Sequence, residues 1–252
     1  MASTSETGHA KNVANFEDLI SFCTGYGTAY NPSKNSIKLT QLQTLFAAGK
    51  NSLQTVKSTK TTYDNATNAR EIVFASFKKL CTRIVNSLEA TDAAKQTVDD
   101  AKTINRKIQG KRAGKKITEA QPQPEITSPD IPETKKQISV SQQSFDSTID
   151  SFAKLIVLLT AEPLYLPNET DLKITALNTM LNSFKTTNSA VIAASTAYIN
   201  ARIARDTILY KTDTGLVDIA YEVKKYVKSV YGAGAPEYKE VSNLKFTRII
   251  SK

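Results

Sequence analysis

The chain reads as mainly α: an elongated antiparallel helical bundle built from a tandem duplication, pseudo-twofold, with long coiled-coil-like helices. Three observations predict this. Apolar residues recur every three to four positions over long stretches, the spacing that lines one face of a helix. No proline interrupts the chain between Pro32 and Pro122. The phrase YNPSKNSIKLTQLQ, which begins at Tyr30, returns as YLPNETDLKITALN at Tyr165.

A shift of 135 residues aligns residues 30–70 with 165–205 without a gap, and 14 of the 41 pairs are identical. Ordinary residue frequencies would give about three. The identities include Tyr30/Tyr165, Pro32/Pro167, Leu42/Leu177, Val56/Val191, Tyr63/Tyr198, Asn65/Asn200, Ala66/Ala201 and Arg70/Arg205. One deleted residue carries the match upstream, where FEDLISFCT meets FAKLIVLLT. Past a four-residue insertion near KTDTG, Phe77, Leu80, Cys81 and Ile84 face Leu216, Ile219, Ala220 and Val223. A period of this kind has to be found before any fold is assigned.

The domain plan follows from the repeat. Residues 1–12 are polar and read as a disordered tail. Residues 13–110 form helical repeat 1, 111–137 a basic and then proline-rich linker, and 138–252 helical repeat 2. Val13, Phe16, Leu19, Ile20 and Cys23 give repeat 1 an opening helix. The YNPS break follows, because proline excludes helical geometry from the residue before it. Ser33 or Asn35 then caps a long helix from Ser36, and Asn168 or Thr170 caps its counterpart. Unbroken to Leu88, the first would reach about 80 Å. Its wealth of Ser and Thr allows a bend within residues 55–68. A further helix runs from a Thr91 cap to Gly110. In repeat 2 the expected helices cover 138–161, about 169–211 with a break at KTDTG, and 216–231, with GAGAPE as the stop.

Composition excludes several functions. The longest purely aliphatic run is LIVLL at 155–159, far short of the roughly 20 residues of a membrane helix. MASTSETGHAKN lacks the apolar stretch of a secretory signal. Two cysteines, Cys23 and Cys81, form neither a disulfide framework nor a metal cluster, and a cytoplasmic protein is expected. His9 is the only histidine, which argues against multi-histidine metal sites and a Ser–His–Asp triad. No phosphate-binding GxxxxGK[ST] occurs. No enzyme activity, cofactor or metal is expected.

Net charge is +9 and unevenly spread. Lys102, Arg106, Lys107, Lys111, Arg112, Lys115 and Lys116 cluster without an acid among them. Such a segment could neutralise phosphates of nucleic acid or anionic lipid. A solvated helix end, with cations complementing its dipole, is the favoured reading. The duplicated polar residues Tyr63, Asn65 and Arg70, with Tyr198, Asn200 and Arg205, are the other candidates. Tyr63 and Arg70 share a helix face with Ala66. They could bind an anionic ligand across a pseudo-twofold axis, but inter-helix bonds that fix register are the stronger expectation.

At GHAKNVANFEDLISF, GYGTAYNPS, NAREI, TRIVNSLEATDAAK and LYKTDTGLVD the chain resembles uncharacterised helical proteins of Bacteroidetes bacteria. The resemblance implies a bacterial cytoplasmic origin and carries no activity with it. The expectation is therefore a non-enzymatic scaffold or protein-interaction module that associates with a protein partner or with itself. The alternatives are anionic-surface or nucleic-acid binding through residues 102–116, and a membrane-active toxin that exposes FAKLIVLLTAEPLYL. No small-molecule substrate is evident.

Overall fold

A computed structural model describes residues 4–110 and 144–249, and every regular element among them is helical. The α-helices are α1 (Thr4–Gly25), α2 (Leu39–Phe74), α3 (Phe77–Glu89), α4 (Lys95–Gln109), α5 (Phe145–Ala161), α6 (Ile174–Tyr210), α7 (Leu216–Tyr231) and α8 (Pro236–Asn243). The protein is mainly α.

The chain forms two compact units that do not coincide with 13–110 and 138–252. One comprises Met1–Asn65 and Ile192–Lys252, the other Ala66–Val191. The boundaries fall inside α2 and α6, so the first unit joins α1 and the start of α2 to α7 and α8, and the second joins α3 and α4 to α5 and the start of α6. Hydrophobic periodicity finds helices but does not say which of two equivalent faces a helix will cover.

In the first unit α1 buries Val13, Phe16, Leu19, Ile20 and Cys23 against Leu216, Ile219, Ala220, Val223 and Val227 of α7. Gly49 lies in the α2 face of this core. A methyl group there would sit 3.2 Å from Leu216 Cδ1 and 3.4 Å from Val13 Cγ2. The second unit packs a cluster of rings into a core that is otherwise aliphatic. Phe74 stacks on Phe184 at 4.1 Å, and Phe77 meets Phe152 and Phe184 edge-on, both at 4.8 Å. Phe184 occupies the position 135 residues beyond Gly49. At this pair of aligned positions one helix packs a glycine against Leu216 and Val13, and the other a phenylalanine against Phe74 and Phe77.

The YNPS and YLPN turns are built alike. Tyr30 and Tyr165 are buried, and their hydroxyls donate to the carbonyls of Ile37 (2.6 Å) and Leu172 (2.9 Å). Each turn ends in a 3₁₀ turn, Asn35–Ile37 or Thr170–Leu172, without a side-chain cap. The tyrosines brace these turns, and the expected Ser33, Asn35, Asn168 and Thr170 caps are not used.

Several expectations are corrected. Residues 4–12 are helical, and His9 and Asn12 are buried, where a disordered tail was expected. Their partners, Tyr210 and Thr247, lie about 200 positions away or more in the sequence. The first long helix ends at Phe74 instead of continuing to Leu88, and it runs without a break through 55–68. Ser and Thr are accommodated there by hydroxyls that donate to carbonyls three or four residues back, as Thr59 does to Thr55 at 2.8 Å. Thr91 bonds Leu88 and Ala93 locally, while α4 begins at Lys95. The break at KTDTG is present, with Asp213 at φ 64°. GAGAPE ends α7 and also starts α8, with Pro236 in its first turn. Residues 111–137, the expected linker, lie outside the described residues.

Candidate functional site

Tyr63 and Tyr198, which align at the 135-residue shift, meet. Their rings stack with centroids 6.2 Å apart and planes 10° apart. Asn65 and Asn200 are exposed. Arg70 and Arg205 belong to different units, and each is engaged locally.

Arg70 lies over the Phe145 ring, 3.8 Å from its centroid, and donates to Asn188 Oδ1 at 2.9 Å. Asn188 is itself buried and donates to Asp146 Oδ1 at 2.8 Å. Asp146 sits in the first turn of α5, where the helix dipole favours a carboxylate. This is an inter-helix clamp on α2, α5 and α6.

Arg205 is 0% exposed. Its Nε and Nη2 both donate to Asp206 Oδ1, at 2.9 and 2.7 Å. A guanidinium this deep persists only when paired, because its desolvation is expensive. Arg70 thus reaches across to α5 and α6, whereas the carboxylate that Arg205 holds is that of its neighbour on the same helix.

Of the basic cluster, Lys102 pairs with Glu89, and Arg106 and Lys107 lie in the last turn of α4, before Gly110 at φ 73°. Lys111, Arg112, Lys115 and Lys116 lie outside the described residues. In FAKLIVLLTAEPLYL, the residues Phe152, Leu155, Ile156, Leu159 and Tyr165 are buried in the core of the second unit. Among the described residues no helix is long and apolar enough to cross a membrane, and no three His, Cys, Asp or Glu side chains converge to hold a metal ion. Burial pushes the thiols of Cys23 and Cys81 up to about 12.

Two features escape a reading of hydrophobic spacing. The first is an exposed apolar face on α6, formed by Ile192, Ile199 and Ile203 at 56%, 50% and 59% exposure. No charged residue occurs between Lys185 and Arg202. The sister positions on α2 are Lys57, Asp64 and Asn68. Comparison within each aligned pair could have exposed this face.

The second is the extended segment 244–249, which lies along α1 and α7. Asn12 makes both bonds to the Thr247 backbone, donating to its carbonyl at 2.7 Å and accepting from its N–H at 3.0 Å. Asn15 donates to the Lys245 carbonyl at 2.6 Å and Tyr221 to the Phe246 carbonyl at 2.8 Å. Lys224 donates to the Leu244 carbonyl, and burial pulls its ammonium below the ordinary lysine range. Phe246 is buried, edge-on to Phe16 and Tyr221. No helical or alternating pattern in LKFTRI announces this.

The chain matches no protein-family model, no curated protein and no solved structure. Its described surfaces offer packing and hydrogen bonding. The arginines are occupied within their own units, whereas the α6 isoleucines face solvent.

Proposed function

We propose that this protein is a non-enzymatic helical interaction module, a tandem duplication of one helical repeat that associates with a second copy through α6. The observation that carries the reading is the exposed Ile192–Ile199–Ile203 face. Its intervals of seven and four residues follow the seam of a coiled coil; the stretch that carries Ile192 and Ile199 is uncharged, and Arg202 and Asp206 flank Ile203 with opposite charges. The three isoleucines expose on the order of 300 Å² together, below the roughly 800 Å² per partner of a stable interface, so the association is weak and reversible. The matched turns at Tyr30 and Tyr165, and the meeting of Tyr63 with Tyr198, support the duplication. The buried, free thiols are consistent with a reducing cytoplasm.

The test gives α6 the residues its sister helix already tolerates. Sedimentation of the wild type should show mass rising with concentration, and I192K/I199D/I203N should remain monomeric and equally helical. A wild type that stays monomeric into the millimolar range would remove self-association.

A further inference from the structure

The α1/α7 seam of the first unit holds residues 244–249 in a way that differs from the rest of the protein. In the second unit the corresponding seam, between α5 and α3, is covered by the fifteen-residue helix α4. Here the eight-residue α8 gives out, and an extended strand continues along α1. Among the described residues this extended segment is held by side chains. Asn12, Asn15, Tyr221 and Lys224 reach four successive residues of its main chain. Side-chain pairing of this kind reads an extended backbone whatever its sequence, and pockets then supply specificity.

Three contacts supply that specificity. Phe246 enters between Phe16 and Tyr221. Ile249 packs on Gly8, where even a methyl group would overlap Ile249 Cδ1. Arg248 donates to Asp218 at 2.5 Å and to the Tyr210 carbonyl at 3.0 Å. Upstream, Asp18 and Glu240 line a concavity that continues the groove past Leu244.

We infer that the α1/α7 seam is a peptide-binding groove, and that residues 244–249 are its occupant in cis. Its partner is an extended basic segment of another protein that carries Phe-x-Arg-Ile chemistry. The acids at both ends of the groove select positive charge, Phe16 and Tyr221 select an aromatic ring, and Gly8 admits a branched aliphatic residue. This deepens the interaction-module reading and rests on it, but it concerns a surface separate from the α6 isoleucines.

The test uses the full-length chain and a fluorescein-labelled LKFTRI peptide. The tethered segment competes at an effective concentration in the millimolar range. Wild type should therefore bind the peptide at least about tenfold more weakly than F246A/I249A, in which the cis anchors are gone. A peptide with alanine for its phenylalanine should bind on the order of thirtyfold more weakly. If F246A/I249A keeps its helical signal and binds neither peptide, or both equally, the groove is refuted. A second arm does not depend on that variant folding. In N15C/K245C a disulfide pins the segment, so the oxidised chain should lose whatever peptide binding the reduced chain shows, and equal binding would overturn the proposal. Disulfides linking separate chains of N15C/K245C would overturn it in favour of exchange between copies. I192K/I199D/I203N should bind the peptide as wild type does, which separates failure at this groove from failure at α6.

Discussion

At the scale of single residues, the two equivalent arginines carry unequal loads. Arg205 has no exposure and a carboxylate partner, so Arg205→Ala should cost about 3 kcal/mol by emptying a fully buried site and breaking the pair with Asp206. Arg70 is half-buried, with a neutral amide and a ring for partners. Arg70→Ala should cost about 1–2 kcal/mol. Urea unfolding of both variants would measure the difference. Burial also sets a pH limit. The thiols of Cys23 and Cys81 are pushed from 9.0, and the phenols of Tyr26 and Tyr165 from 10.0, each up to about 12. Below pH 9 these groups hold their protons in both states and have no effect. From about pH 9 to 12 the unfolded chain releases protons that the folded chain keeps, so stability falls as pH rises. Circular dichroism should show alkaline unfolding within that window, and below it the native thiols should resist alkylation.

At the scale of elements, Gly49 and Phe184 show how one framework accepts two packings. Gly49→Ala gains about 1 kcal/mol of helix propensity and loses a comparable amount as Leu216 and Val13 shift, so it should be close to neutral. Gly49→Phe, which copies the sister residue, should cost about 3 kcal/mol or more, and Phe184→Ala about 3–5. Thermal melts would rank the three. Helices α5 and α7 were legible because strong periodicity survives in a single sequence, whereas α3 was read only as the continuation of α2. The end of α2 at Phe74 was not, since neither proline nor glycine marks it. Arg70 and Arg205 drew notice because they align at a shift of 135 residues, but their different partners were not legible, since Asn188 and Phe145 lie far from Arg70 in sequence. The groove under residues 244–249 was not, because its partners are far apart in sequence and its hydrogen bonds go to backbone atoms, which no side-chain pattern encodes.

At the scale of the whole molecule, charge helps select the interleaved arrangement. Lys34, in the YNPS turn, pairs with Glu222 of α7 at 2.5 Å. In the sister turn Asp171 pairs with Arg83 of α3, and Arg83 and Glu222 are equivalent in the alignment. The polarity is reversed between the two units. Lys34 aligns with Glu169, whose charge also acts on Arg83, so packing each turn on the closing helix of its own half would set Lys34 against Arg83 and Glu169 against Glu222. Exposed pairs are individually weak, but both alternatives are repulsive and both observed pairs attract. Fragments 1–110 and 138–252 should therefore each be poorly folded alone and should recover helical signal and a cooperative melt when mixed. Calorimetry would decide it, and two independently folded fragments would contradict the interleaving.

That interleaving also fixes an order of events during synthesis. Helix α1 must wait for α7, which begins about 190 residues later. At about 5–20 residues per second, its oily side stays uncovered on the ribosome for roughly 10–40 s. Ala66–Val191 is contiguous and can close during that interval, so the stretch most in need of a chaperone is the one translated before it.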